Sequence, residues 1–135
     1  MELALYGIVK FAAYSAWGQV GFRLFNTPDP SFSRSLGFGA VRWFLGLFLG
    51  ILVFFLAGSI SREDVLVHYL AIYAPIRILE WCVMVALYFS FRQTGSRSRF
   101  VLYWVLGGVV LSFLTDFVSP EMLNDGRFCV GRCLC

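Results

Sequence analysis

VLVHYLAIYAPIRILEWCVMVALYFSF, residues 65–91, is an apolar run with Arg77 and Glu80 near its centre. At 1.5 Å per residue it is long enough to cross ~30 Å of hydrocarbon as a helix. A charge at the middle of such a span costs roughly 2.5–3.5 kcal/mol on insertion scales, so it is normally paired and turned towards the interior of a bundle. On a helical wheel Tyr69, Tyr73, Arg77 and Glu80 fall within about 80° of one another, and Met84 and Leu87 continue that face. Arg77 and Glu80 stand three apart, close enough to pair directly. Pro75 removes the hydrogen bond that the carbonyl of Ala71 would accept, which predicts a bend there.

Three more apolar runs surround this one: Leu3–Phe25, Leu36–Gly58 and Phe100–Val118. Hydrophobic residues make up 59% of the 135, and charged residues only 14%. A soluble domain has about 25% charged residues, so this composition does not furnish a water-facing surface. The runs are continuous rather than alternating, which excludes a transmembrane barrel. The expected fold is an all-α integral membrane protein, an antiparallel bundle of four transmembrane helices over residues 1–118. Residues 119–135 then form a short extracytoplasmic tail carrying cysteines. The chain begins Met1-Glu2 and its first base, Lys10, lies within the apolar run, so the first run is expected to be a retained helix and not a cleaved signal.

The formal net charge of +3 is not a nucleic-acid signature, because the placement of bases in a membrane protein matters more than their sum. Arg34, flanked by Arg23 and Arg42, separates runs one and two; Arg92, Arg97 and Arg99 separate runs three and four. The opposite side holds a mixed, mildly acidic set that includes Glu2, Glu63, Asp64, Asp116 and Glu121. This bias predicts cytoplasmic first and third loops, with both termini facing outward, in a multi-pass protein of the plasma (inner) membrane. Membrane lipids are the expected partners, with a membrane-protein partner or a second copy of the chain as further candidates and no nucleic acid.

Within the first run Tyr6, Lys10, Tyr14, Trp17 and Gly21 share one helical stripe, expected to face other helices. Ala12 and Ala16 are a small-xxx-small pair suited to close helix contact. Pro28 and Pro30 break the helix, and Ser33 or Ser35 is expected to cap the next one. In the second run Gly39, Arg42, Gly46 and Gly50 lie on one side, and Gly46-xxx-Gly50 predicts tight helix packing. Arg42 either snorkels to the headgroups or pairs inside the bundle. Ser61, followed by Glu63 and Asp64, suits a helix start. In the fourth run Gly108, Ser112 and Asp116 form a narrow small and polar seam, with Asp116 expected at a wet helix end. A short surface helix follows from Ser119 to Gly126.

Three constellations can carry chemistry. In the first, His68 and Asp116 are candidates for a catalytic general base, and Lys10, Tyr73, Arg77, Glu80 and Ser112 for a ligand-binding set opening outward. Its cations would suit a phosphate or carboxylate headgroup. The opposing reading is that His68 and Asp116 never meet and that Arg77–Glu80 only clasps helices. The second is the Arg77–Glu80 pair itself; the neighbouring cation favours ionised Glu80, against a freely titrating transport carboxylate. The third is Cys129, Cys133 and Cys135. In an oxidising compartment two of them are expected to form a disulfide, ahead of the alternative that all three bind a metal. Cys82 reads as an ordinary small buried residue.

No cofactor motif occurs: there is no phosphate-binding loop, HExxH or dinucleotide fingerprint. The function expected is that of a small polytopic membrane protein with an intramembrane polar pocket that binds or modifies a lipid headgroup. The alternatives are an accessory subunit of a larger membrane complex and, third, a small proton-coupled transporter. Whether the chain is an enzyme is left open by the sequence.

Overall fold

The computed structural model describes residues 2–27, 31–57, 66–89 and 98–119. They form four helices: α1 (Glu2–Leu24), α2 (Phe32–Ala57), α3 (Leu66–Tyr88) and α4 (Ser98–Asp116). Each matches one of the apolar runs to within a few residues. Phe32–Val53, Leu70–Tyr88 and Arg99–Asp116 are long and apolar enough to cross a membrane. α1 has comparable length, but Lys10, Gln19 and Arg23 and its many small residues dilute its apolar character, and it does not meet that measure. The fold is therefore all-helical with three membrane-competent helices, where the sequence predicted four.

Neighbouring helices run antiparallel, as the contacts along each seam show. Phe22 meets Phe38 while Gly7 meets Trp43 further along α1 and α2. Between α3 and α4, Phe89 meets Trp104 at one end and Arg77 meets Asp116 at the other. The α1–α4 seam is held by two tryptophans, each indole donating to the other's backbone carbonyl: Trp17 Nε1 to Trp104 O at 3.2 Å and Trp104 Nε1 to Trp17 O at 3.3 Å. Their rings lie nearly parallel, 17° apart.

α1 ends at a left-handed residue, Asn26, whose φ is 48°. The Thr27 amide donates to Phe22 O and the Asn26 amide to Arg23 O, the paired bonds of a Schellman stop. The helix thus ends through its own cap, before the two prolines are reached. α2 starts earlier than expected. Ser31 Oγ accepts from the Arg34 amide and is the N-cap, whereas Ser35 bonds to Gln19 and Ser31 O instead. α3 runs through Pro75 without interruption. The serine cap expected at Ser61, the arginines of residues 92–97 and the tail beyond Ser119, with its short helix and Cys129, Cys133 and Cys135, lie outside the described residues.

The interior falls into two halves. One is aromatic, where Phe22, Phe25, Phe38, Trp81, Phe89 and Trp104 form a continuous cluster. In the other half Lys10, Arg42, Arg77, Glu80 and Asp116 are all at most 6% exposed. The outer surface is apolar, with Ile8, Phe44, Phe48, Phe55, Leu79 and Leu87 among its exposed side chains. This is the reverse of a water-soluble protein, in which charged residues are almost never fully buried unless paired and large exposed apolar patches are rare.

Four readings of single positions change. Ala12 and Ala16 are exposed on the outside of the bundle. Gly46 does not serve a helix crossing; a β carbon there would stand 3.1 Å from Arg42 Nη1 and 3.8 Å from Arg77 Nη1 and Glu80 Oε1. The missing side chain makes room for charged groups. The tight crossings lie elsewhere, at Gly18 on Phe38, Gly39 on Ser15, Gly107 on Trp17 and Gly108 on Trp81. Asp116 is buried, although it ends its helix, because α1 covers it. Cys82 is exposed, not buried.

Candidate functional site

The charged half of the interior is one connected network with Arg77 at its centre. Arg77 is held on α3 one turn from Glu80, and its guanidinium reaches both carboxylates, Glu80 Oε2 at 3.4 Å and Asp116 Oδ2 at 3.2 Å. Arg42, from α2, donates to the same Glu80 oxygen at 2.5 Å. Lys10, from α1, approaches Asp116 Oδ1 at 2.6 Å, and the Tyr6 hydroxyl donates to that oxygen at 3.0 Å. Among the described residues the order along the network is Arg42, Glu80, Arg77, Asp116, Lys10, and the signs alternate. Among the described residues it joins three positive and two negative groups.

Aromatic rings and hydroxyls support the network. The Arg42 guanidinium lies 4.8 Å from the centre of the Tyr14 ring and 5.1 Å from that of Trp81. Lys10 lies over Tyr6 and Arg77 over Tyr73. Such contacts gain strength where water is excluded. Ser112 is saturated: its hydroxyl donates to Gly108 O and accepts from Trp81 Nε1 and Arg42 Nη2. The Tyr14 hydroxyl and the Nε and Nη1 atoms of Arg42 are buried and make no hydrogen bond among the described residues. A buried donor without an acceptor costs about 1–3 kcal/mol, and more when it is charged.

A cavity of about 560 Å³ opens beside the network, between α1 and α2. Ala4, Gly7, Ile8 and Phe11 form one wall and Trp43 and Leu47 the other. Tyr6, Lys10, Tyr14 and Arg77 supply its few polar groups, and Gly46 its gap towards Arg42. A mostly apolar concavity with a few convergent polar groups is the usual form of a small-molecule site.

The structure therefore brings together Lys10, Tyr73, Arg77, Glu80, Ser112 and Asp116 from the expected set. His68 lies in α3, and its side chain is outside what the structure describes. Asp116 accepts from the Tyr6 hydroxyl and pairs with Lys10 and Arg77. Sequence reasoning did not place Tyr6 and Tyr14 in the ligand set, though both belong to the stripe of Lys10. Arg42, whose two fates were left open, pairs inside the bundle. Among the described residues no group of three or more His, Cys, Asp or Glu is placed to hold a metal ion. Comparison with protein-family models, curated proteins and solved structures found no match to the chain.

Proposed function

We propose that the protein is an integral membrane protein, a bundle of four transmembrane helices whose buried charge network binds the anionic headgroup of a membrane lipid. The observation that carries this reading is the convergence of Lys10, Arg77 and the Tyr14 hydroxyl on a largely apolar cavity. A phosphate or carboxylate arriving there would meet two cations and a hydroxyl able to donate to it. The apolar exterior supports the membrane setting, since three helices have the length and composition to span. α1 completes the bundle because its one internal lysine faces Asp116 and not lipid.

Lipid retention by the purified protein in zwitterionic nanodiscs, read by native mass spectrometry, tests the proposal. Wild type is expected to retain anionic lipid at least tenfold better than zwitterionic lipid. Lys10→Gln removes one of the two cations that line the cavity while leaving Tyr6 and Arg77 on Asp116, and is expected to abolish that preference. Equal retention of both lipids by wild type would sink the reading and favour an accessory-subunit role.

A further inference from the structure

Gly46 lines the cavity from α2, and charged groups surround its bare face. A β carbon there would stand 3.1 Å from Arg42 Nη1 and 3.8 Å from both Arg77 Nη1 and Glu80 Oε1. One small group set against this glycine therefore comes close to two guanidinium groups and a carboxylate. Two of those three atoms have bonding capacity to spare. Arg42 is 0% exposed, yet its Nη1 makes no hydrogen bond among the described residues. Glu80 is 1% exposed, and its bonds from Arg42 Nη2 and Arg77 Nη1 both end on the other oxygen, Oε2. A buried donor left without an acceptor is costly, and more so when it is charged.

Building on the headgroup reading, we propose that the face of Gly46 is a hydroxyl subsite, where a free hydroxyl of the head accepts from Arg42 Nη1 and donates to Glu80 Oε1. The chemistry of these atoms selects the group. An ionised phosphate or carboxylate oxygen only accepts, and would set its charge against Glu80. An ammonium only donates, and would face Arg42 and Arg77. A hydroxyl both donates and accepts, and carries no charge. Arg77 joins the two parts of the site: it lines the cavity with Lys10 and Tyr14, and its Nη1 also borders Gly46. A phosphate held at Lys10, Tyr14 and Arg77 thus brings the alcohol esterified to it towards Gly46. The ligand class is a phosphate ester of a polyol, such as a glycerol or inositol head. Glycine has a specific part in this arrangement, because a side chain at position 46 would take the place of the hydroxyl.

Phosphatidylglycerol and phosphatidylpropanol share charge, phosphodiester and tails, and differ only in the hydroxyls of the head. In phosphatidylcholine nanodiscs wild type is expected to retain the first better than the second by about tenfold or more, the worth of a hydrogen bond to a charged group. Phosphatidylpropanol is still expected to exceed phosphatidylcholine. Gly46→Ala is expected to bring phosphatidylglycerol down to the level of phosphatidylpropanol, with thermal unfolding reporting the integrity of the variant. The wild-type contrast needs no variant and decides alone if Gly46→Ala does not fold. Equal retention of the two anionic lipids, both above phosphatidylcholine, would leave Gly46 to water and overturn the hydroxyl subsite alone. Phosphatidylglycerol retained no better than phosphatidylcholine would overturn the headgroup reading. A folded Gly46→Ala protein that keeps the discrimination would place the hydroxyl elsewhere and refute the subsite. Binding of aqueous glycerol 3-phosphate over propyl phosphate, without retention of phosphatidylglycerol, would support the subsite and overturn a lipid as its source.

Discussion

At the scale of single residues, Glu80 shows how strongly the network constrains its members. It is 1% exposed and faces two guanidinium groups. Removing one partner of a buried ion pair costs about 3–5 kcal/mol, because the other charge is left uncompensated, whereas replacing both by apolar groups is often neutral. Glu80→Gln leaves Arg42 and Arg77 facing each other and is expected to lower stability by about that amount in detergent denaturation. The double variant Arg42→Met/Glu80→Met is expected to unfold nearer wild type than either single variant; a double variant as weak as the sum of the singles would contradict the pairing. The same geometry explains what could be read beforehand. Arg77 and Glu80 share a helix, so their spacing alone brings them together. The partnership of Arg42 with Glu80 depends on the rotation and depth of two separate helices, which local periodicity does not encode. Asp116 was read as wet because it ends its helix. What covers it, Tyr6 and Lys10, comes from the far end of the chain.

At the scale of helices, the seams depend on glycines meeting large rings. A β carbon on Gly108 would lie 2.6 Å from the Trp81 ring. Trp81 is fully buried and bonded through its indole to Ser112, so it has no easy retreat. Gly108→Ala is expected to destabilise the fold by about 1–3 kcal/mol, the usual penalty of overpacking. Gly37→Ala adds a β carbon 3.9 Å from the Tyr88 hydroxyl, in ordinary contact. It is expected to be neutral or to gain up to about 1 kcal/mol from helix propensity. Thermal unfolding of the two variants side by side measures the contrast, and equal melting temperatures would refute the assigned seams. The existence and limits of the helices were legible because apolar runs of this length leave few alternatives. The stripe Tyr6–Lys10–Tyr14 was legible for the same reason of periodicity. The glycine seams were not: Gly46-xxx-Gly50 fits the expected spacing, but whether a glycine faces a helix, a ring or a guanidinium is decided by the neighbouring helix.

For the whole molecule, the distribution of side chains is inverted, with charge within and phenylalanine and leucine without. Phe48 is 66% exposed on the middle of α2. In a bilayer its face meets lipid, so Phe48→Arg is expected to reduce membrane insertion of that segment by about 2.5–3.5 kcal/mol, measured in a glycosylation-reporter insertion assay. An unchanged insertion efficiency would argue against a lipid-facing α2. The network is the counterpart of this exterior: the charges inside pair with one another across all four helices.

Arg77 is the central residue of α3, with equal lengths of helix on either side. Its guanidinium, however, is held at Asp116, the last residue of α4, so in a spanning orientation the charge sits only part of the way into the transmembrane electric field. A full charge crossing 100 mV involves about 2.3 kcal/mol, so a singly charged head moving from the aqueous boundary to Arg77 would exchange a fraction of that with the field. Under the headgroup reading, occupancy of the site is then an electrical quantity. In liposomes, ligand affinity is expected to follow the sign and size of an imposed diffusion potential.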